Sequence, residues 1–533
     1  MATSRRDGSD ATSASQERAS LTAQTASGLR WSYLGSAALV IANLAYTATI
    51  SRLLDPVAFG LMALANLVVL FSQYFVRMGI ASALVQKTEL SDDEIRAAST
   101  AGLAFGAACL GAVWLLTPLI SDLFREPALS PILRILAISF LPEGWSMTGM
   151  GLLRRQLRFR ELSMITAGTY VLGFLVVGVG LAVLGAGVWS LVVGALVSNA
   201  SQAVWQYALL RHPVRPVLRW EPYRAVCGYG MRQSGAHVLD YVGSNLDTFT
   251  VGRFASTAVL GQYSRAYYLV FQPLRYYLSQ AFTNVLFSSL SRIQSDTARL
   301  RRAYLSVLTL GGLVLFPIST GIAVAARDLV LVVLGPRWNL AAGIVPWFAI
   351  AGACSVAARL SQSLADARAD LNRSLAVQGA YVAALGAFLT VALSFRSRGV
   401  WVFAAAVAAA EVLRHVSYLG LMRRILRLSV TQVARSYAPA AFASLGVALA
   451  IMVVQRALGE TVPALGVFGA ELGAGALALA LCIRFSPLPG IRHELRLRLT
   501  AAGALGTVGG VRWRLAPLLL GPPDPATMAE PRS

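Results

Sequence analysis

Runs of about twenty mostly apolar residues recur along the chain, parted by short polar or Gly/Pro-bearing stretches; a run of that length is what a helix needs to cross the hydrocarbon of a bilayer. The runs fall at 29–51, 57–80, 96–121, 129–151, 161–184 and 187–210. After a basic stretch they resume at 227–252, 257–288, 303–326, 340–364, 374–395, 398–421, 437–456 and 462–484. The pattern predicts an all-α polytopic membrane protein with about 14 transmembrane helices, of which the seventh, eighth and tenth are the most polar. Residues 1–27 are rich in Ser, Thr and Ala and read as a disordered cytoplasmic tail, without the short apolar core of a cleavable signal. Residues 486–533 read as a basic cytoplasmic tail with a stretch able to lie on the membrane surface.

Composition narrows the classes. Charged residues make up 13% of the 533 and hydrophobic ones 56%, with a mean hydropathy of +0.62. Soluble domains carry about 25% charged residues, so the balance argues against a water-soluble enzyme. The net charge of +21 raises nucleic-acid binding until the bases are placed. With both termini in the cytoplasm and alternate connections assigned, the inner side holds clusters such as Arg154, Arg155, Arg158 and Arg160, or Arg423, Arg424, Arg427 and Arg435. The outer side holds scattered bases such as Arg52, Arg253 and Arg396. The resulting excess of about four to one is the positive-inside pattern. Charge thus reports topology and contact with anionic membrane lipids, and no nucleic-acid partner is expected. Cys109, Cys227, Cys354 and Cys482 stand far apart in apolar runs, and HExxH and GxxxxGK[ST] are absent, so no metal site or cofactor is expected.

The first and seventh spans repeat each other. Gly28, Arg30, Ser32, Asn43 and Leu44 align with Gly230, Arg232, Ser234, Asn245 and Leu246. After the loss of one residue, Arg52 and Gly60 align with Arg253 and Gly261. Six helices separate the two copies, so the halves repeat in parallel about an axis along the membrane normal. This predicts an N-terminal six-helix lobe with linker over 28–225, a C-terminal six-helix lobe over 226–425, and two extra helices over 426–485. Such lobes suit alternating access.

Helical periodicity then picks out four polar stripes. Gln233, His237, Asp240, Ser244 and Asp247 share one face of the seventh span, within about 80° of arc at 100° per residue. Arg265, Tyr268, Gln272, Arg275 and Ser279 share one face of the eighth. Ser32, Ser36, Asn43 and Tyr46 line the first, and Asn66, Gln73 and Arg77 mark the second. A charge at the bilayer centre costs about 2.5–3.5 kcal/mol on insertion scales, so Asp240 and Arg275 are expected to face a wet cavity or each other. Glu143, between Pro142 and Gly144, either lines that cavity or offsets a broken helix. Glu411, Arg414 and His415 sit at i, i+3 and i+4 and are expected to satisfy one another. Tyr263, Tyr267, Tyr268, Tyr276 and Tyr277 read as interfacial belt and packing.

The first span and its continuation SRLLDPVAFGLMALA, the loop Gly79–Gln86, and the set Asn245, Asp247, Gly252, Arg253, Leu260, Gly261 and Tyr263 resemble the Wzx-type polysaccharide flippases. These form a branch of the superfamily that includes MATE antiporters and the lipid II flippase. The resemblance covers about residues 28–485. It implies two six-helix lobes plus two helices, a cavity lined by the first, second, seventh and eighth spans, and an oligosaccharide on a polyprenyl pyrophosphate carrier as cargo in the bacterial plasma membrane. Within that frame Arg77, Arg265 and Arg275 suit pyrophosphate, since guanidinium binds phosphate bidentately. Asn43, Asn66, Gln73, Tyr268 and Gln272 suit sugar hydroxyls. Asp240 and Asp247, with Asn245, are candidates for Na+ or H+ coupling. A polysaccharide polymerase or export machinery is an expected partner. Two rival readings are a MATE-like cation-coupled drug exporter and a membrane polymerase or glycosyltransferase. The arginines of the stripes disfavour the first, and the short loops without a catalytic domain disfavour the second.

Overall fold

The computed structural model describes residues 35, 38–77, 79–87, 89–215, 217, 219, 221, 223, 241–275, 297–367, 371–458 and 462–485. The expectations for the two tails, and for Ser32, Ser36, Gln233, His237, Asp240, Tyr276, Tyr277 and Ser279, lie outside these. The described residues are almost all helical and contain no strand. Ten helices among them are long and apolar enough to cross a bilayer, and each falls on a predicted span. The other four predicted spans hold helix as well, in α1 (Ala38–Leu53), in a broken pair α5 and α6, and in the described parts of the seventh and eighth. The all-helical polytopic fold is therefore the one the hydrophobic pattern predicts. By internal packing the chain divides between Gly261 and Gln262 into two compact units.

In the first unit, α2 (Pro56–Arg77) is followed by the short α3 (Ile80–Gln86) and by α4 (Asp92–Phe124). The start of α4 is fixed by a capping box. Ser91 Oγ accepts from the Glu94 amide and Glu94 Oε2 accepts from the Ser91 amide, satisfying two donors that a helix start leaves orphaned. The fourth predicted span is two pieces, α5 (Leu129–Leu136) and α6 (Phe140–Arg155), joined by a 3₁₀ turn over Ala137–Ser139. Pro142, which has no amide hydrogen, lies in the first turn of α6, where that loss is harmless. Reciprocal close approach joins α4 to α6. A Cβ on Gly102 would overlap the carbonyl oxygen of Gly144, and one on Gly144 would overlap that of Gly102.

Helix α7 (Phe159–Val183) carries a π-helical segment over Val171–Gly178. There Gly173 lies against the backbone of Gly194 and Ser198 on α8 (Val188–Leu210). The described part of the seventh span, α9 (241–254), packs in this unit as well, with Phe249 edge-on to Phe124 at 5.5 Å. Helix α10 (Thr257–Ala266) spans the division and continues as a π-helical turn, Tyr267–Phe271.

In the second unit, α11 (Thr297–Val324) packs against α16 (Val430–Leu458), which in turn pairs with α17 (Ala464–Arg484); α13 (Asn339–Ala367) packs against α15 (Trp401–Leu426), and α14 (Leu371–Ser394) against α15. The short α12 (Ala326–Val333) lies on α13. Gln262 ties the start of α13 to the π-helical region by donating to the Arg337 carbonyl at 2.7 Å and accepting from the Ala341 amide at 3.3 Å. The tenth predicted span, read as one of the most polar, is α13, whose polar Ser355 and Ser361 are fully buried. It is a core helix, and that position explains its mixed character.

Candidate functional site

Three polar side chains converge at the C-terminal end of α2. Arg77 Nε donates to Glu143 Oε1 at 2.8 Å, and Arg77 Nη2 donates to Gln73 Oε1 at 3.2 Å. Gln73 is one helical turn before Arg77, so the sequence itself places it beside the guanidinium. Glu143 comes from α6, and the Gly102–Gly144 approach sets α6 where its neighbouring residue reaches α2. Only 7% of the Glu143 side chain is exposed, against 57% of Arg77. A buried carboxylate thus anchors an exposed guanidinium by one edge while the remaining edge faces outward. Glu143 Oε2 is buried with no hydrogen-bond partner. A carboxylate so placed is costly unless it is paired, and the ion pair supplies the compensation. Arg77 held in this way is a fixed, permanently charged donor array suited to phosphate or another planar or tetrahedral oxyanion.

The other stripe residues engage neighbours within their own units. Asn43 Nδ2 donates to the Tyr170 hydroxyl at 3.0 Å, and Tyr170 in turn meets Tyr46 edge-on at 6.2 Å. Asn43 therefore links α1 to α7. Asn66 is half-buried on the same face of α2 as Gln73 and Arg77. On α9, Asn245 Nδ2 donates to the Tyr241 carbonyl of its own helix at 2.9 Å, while Asp247 is buried. In the second unit Arg265 stands over the Tyr268 ring at 5.5 Å, and Arg275 over the Phe271 ring at 5.9 Å. Both are cation–π geometries. Gln272 is exposed. Tyr263 is fully buried against Phe348 at 5.1 Å, and Tyr267 meets the same ring at 5.6 Å, so these two serve packing.

Away from these stripes, Arg414 Nη2 lies 2.6 Å from Glu411 Oε2 and donates to Ser355 Oγ at 2.9 Å; Glu411 Oε1 accepts from the Tyr381 hydroxyl at 3.2 Å. His415 pairs not with these two but with the Tyr437 hydroxyl, 3.0 Å from Nε2. The cluster knits α13, α14, α15 and α16 and is internally compensated. Among the described residues no group of three or more His, Cys, Asp or Glu side chains could hold a metal ion.

The stripes single out Arg77 and Gln73 from the sequence but not the partner that fixes them. Glu143 is signalled only as the lone carboxylate of an apolar run. Tyr170 carries no signal, because periodicity on one helix does not show which tyrosine of another will meet its stripe.

The described residues thus form a multi-pass helical membrane protein with an arginine anchored at the end of α2. Over residues 49–343 the chain matches the family described as "Polysaccharide biosynthesis protein", and it belongs to that family. It is 27% identical over 327 residues to the lipopolysaccharide biosynthesis protein WzxC of Escherichia coli (strain K12), covering 60% of this chain and 65% of that one. It is 25% identical over 356 residues to the teichuronic acid biosynthesis protein TuaB of Bacillus subtilis (strain 168), covering 66% of this chain and 73% of that one. Its fold resembles the lipid II flippase MurJ in an inward closed conformation, with a TM-score of 0.66 at 12% identity over 84% of this chain and 98% of that one. The resemblance to Wzx-type proteins read from the sequence is borne out.

Proposed function

We propose that this protein is a flippase that moves an oligosaccharide linked to a polyprenyl pyrophosphate outward across the bacterial plasma membrane, for cell-surface polysaccharide synthesis. The observation that carries the reading is Arg77, held on its Nε edge by the buried Glu143 and steadied by Gln73. A guanidinium fixed at one edge keeps the other free for a pyrophosphate oxygen, and it stays charged at any depth. Family membership and the relatives' names supply the glycan, and the lipid II flippase supplies a precedent for this fold carrying a lipid-linked head group.

The two repeats alternate access to the polar site, with both termini cytoplasmic, and no bond is made or broken in the cargo. Arg265 with Tyr268, and Arg275, are proposed as further cargo-binding groups. Asp247, in a buried position on α9, is assigned to Na+ or H+ coupling. In a strain lacking this gene, the wild-type chain restores polysaccharide on intact cells. Arg77→Ala leaves lipid-linked glycan on the inner side while the protein remains in the membrane. Full surface polysaccharide with Arg77→Ala would remove Arg77 from the site, and no restoration by the wild-type chain would overturn the reading itself.

A further inference from the structure

Between α2, α4 and α9 in the first unit runs an apolar groove of about 840 Å³. Each helix contributes a stripe at i, i+3 and i+4 spacing, the longest being on α4 from Phe105 to Phe124. Ala108 and Ala112 lie in the groove and are exposed, whereas Phe71, Phe75 and Phe249 stand along it. Small side chains at these two positions leave room for whatever packs against α4 there. Among the described residues no helix covers these two.

The polar groups along the groove are already engaged. The Tyr241 hydroxyl donates to the Leu67 carbonyl. The Asn245 amide donates to the Tyr241 carbonyl and the Ser72 hydroxyl to the Val68 carbonyl, both at 2.9 Å. These polar groups spend donors on the protein's own backbone and the rest of the lining is apolar, so the groove suits hydrocarbon.

Length selects which hydrocarbon. The α4 stripe from Phe105 to Phe124 rises about 28 Å at 1.5 Å per residue, close to the whole thickness of a bilayer core of about 30 Å. A phospholipid acyl chain occupies one leaflet, about half of that, and would leave the rest of the groove to a second molecule. We propose that the groove holds a single linear isoprenoid chain, the tail of the carrier lipid; this rests on the flippase reading above. Gln73 and Arg77 point about 200° around α2 from Phe71 and Phe75 respectively, at 100° per residue. Helix α2 therefore parts a hydrocarbon face from a polar one, and a tail in the groove stays in lipid while the head group is handled on the other side.

The test places a benzophenone amino acid at Ala112, in the groove, or at Leu115, which is 83% exposed on α4 outside it. The full chain is reconstituted in phosphatidylethanolamine/phosphatidylglycerol vesicles containing a small fraction of long-chain polyprenyl phosphate. On illumination, Ala112 is expected to capture polyprenyl phosphate enriched about tenfold or more over its share of the lipid, and Leu115 to capture lipids in bilayer proportion. Proportional capture at Ala112, or no adduct there, overturns the inference. In cells, the double variant Ala108→Trp, Ala112→Trp fills the groove and is expected to lower export about tenfold, with Leu115→Trp unchanged; equal export by both also overturns it. Wild-type export alongside unenriched capture at Ala112 sinks the groove assignment alone, whereas failed wild-type export sinks the flippase reading.

Discussion

Gly60 and Gly261, equivalent positions of the internal repeat, each press against the backbone of the other copy. A Cβ on Gly60 would overlap the carbonyl oxygen of Thr257, and one on Gly261 would overlap that of Pro56, itself the equivalent of Thr257. The equivalence extends into the capping. Asp55 Oδ1 accepts from the Ala58 amide at 2.9 Å, and Ser256 Oγ accepts from the Val259 amide at 3.4 Å. The helices preceding the two hairpins end alike too, with the Leu54 amide on the Ile50 carbonyl and the Ala255 amide on the Val251 carbonyl. A two-fold crossing of helix starts is thus built chiefly from backbone, whose carbonyls cannot be pulled aside as a side chain can.

Gly60→Ala and Gly261→Ala should each force this crossing apart, at about 1–3 kcal/mol, the usual cost of overpacking. The melting temperature of the detergent-solubilised protein should fall in both. Gly180→Ala, where an added Cβ meets nothing within 4 Å, should leave it unchanged. An unshifted melt in the two crossing variants would show that the hairpins separate freely.

Glu143→Ala should weaken transport without preventing insertion, because the half-exposed Arg77 loses its anchor but not its water. A charge-assisted hydrogen bond of this kind contributes about 1.5–3 kcal/mol, so export should fall about tenfold or more. Arg77→Lys should be little better than Arg77→Ala, since an ammonium cannot hold Glu143 and an oxyanion in one plane. Export rates at matched protein levels check both, and normal rates in Glu143→Ala would detach the carboxylate from the site.

The Glu411–Arg414 pair is a stability element. Replacing Arg414 by Leu strands a buried carboxylate and should cost about 3–5 kcal/mol, whereas Glu411→Leu combined with Arg414→Met should cost much less. Thermal unfolding of the two variants in detergent distinguishes them, and equal losses would contradict the desolvation argument.

His212 lies just beyond the end of α8, buried and edge-on to Tyr207 at 5.5 Å. Burial holds its imidazole below the usual histidine range. The folded state therefore binds the proton less readily than the unfolded chain, and stability present above the ordinary histidine value of about 6.5 is lost as pH falls below it. His212→Phe should flatten the decline in melting temperature between pH 7 and pH 5, while an unaltered decline would assign it to other groups.

Much of this architecture is legible in the hydrophobic pattern, because twenty apolar residues leave the backbone no choice but a helix in lipid. The repeat is legible too, although its caps are not, since Asp55 and Ser256 share a role and not an identity. What the stripes could not show is pairing between helices. Asn43 and Asn245 carry the same amide at aligned positions, yet one spends it on Tyr170 and the other on its own helix. Glu143 meets Arg77 because two glycines let α4 and α6 touch, and helical periodicity, being a property of one helix, is blind to that. The break between α5 and α6 is likewise a matter of how the pieces pack, which hydropathy does not encode.

The π-helical segment Val171–Gly178 winds more residues into each turn than the rest of α7. Such slack is where a chain can gain or shed a residue without rotating everything that follows. A family that diversifies by insertion would find here a joint that absorbs the change in length, leaving the buried face of α8 on its original bearing.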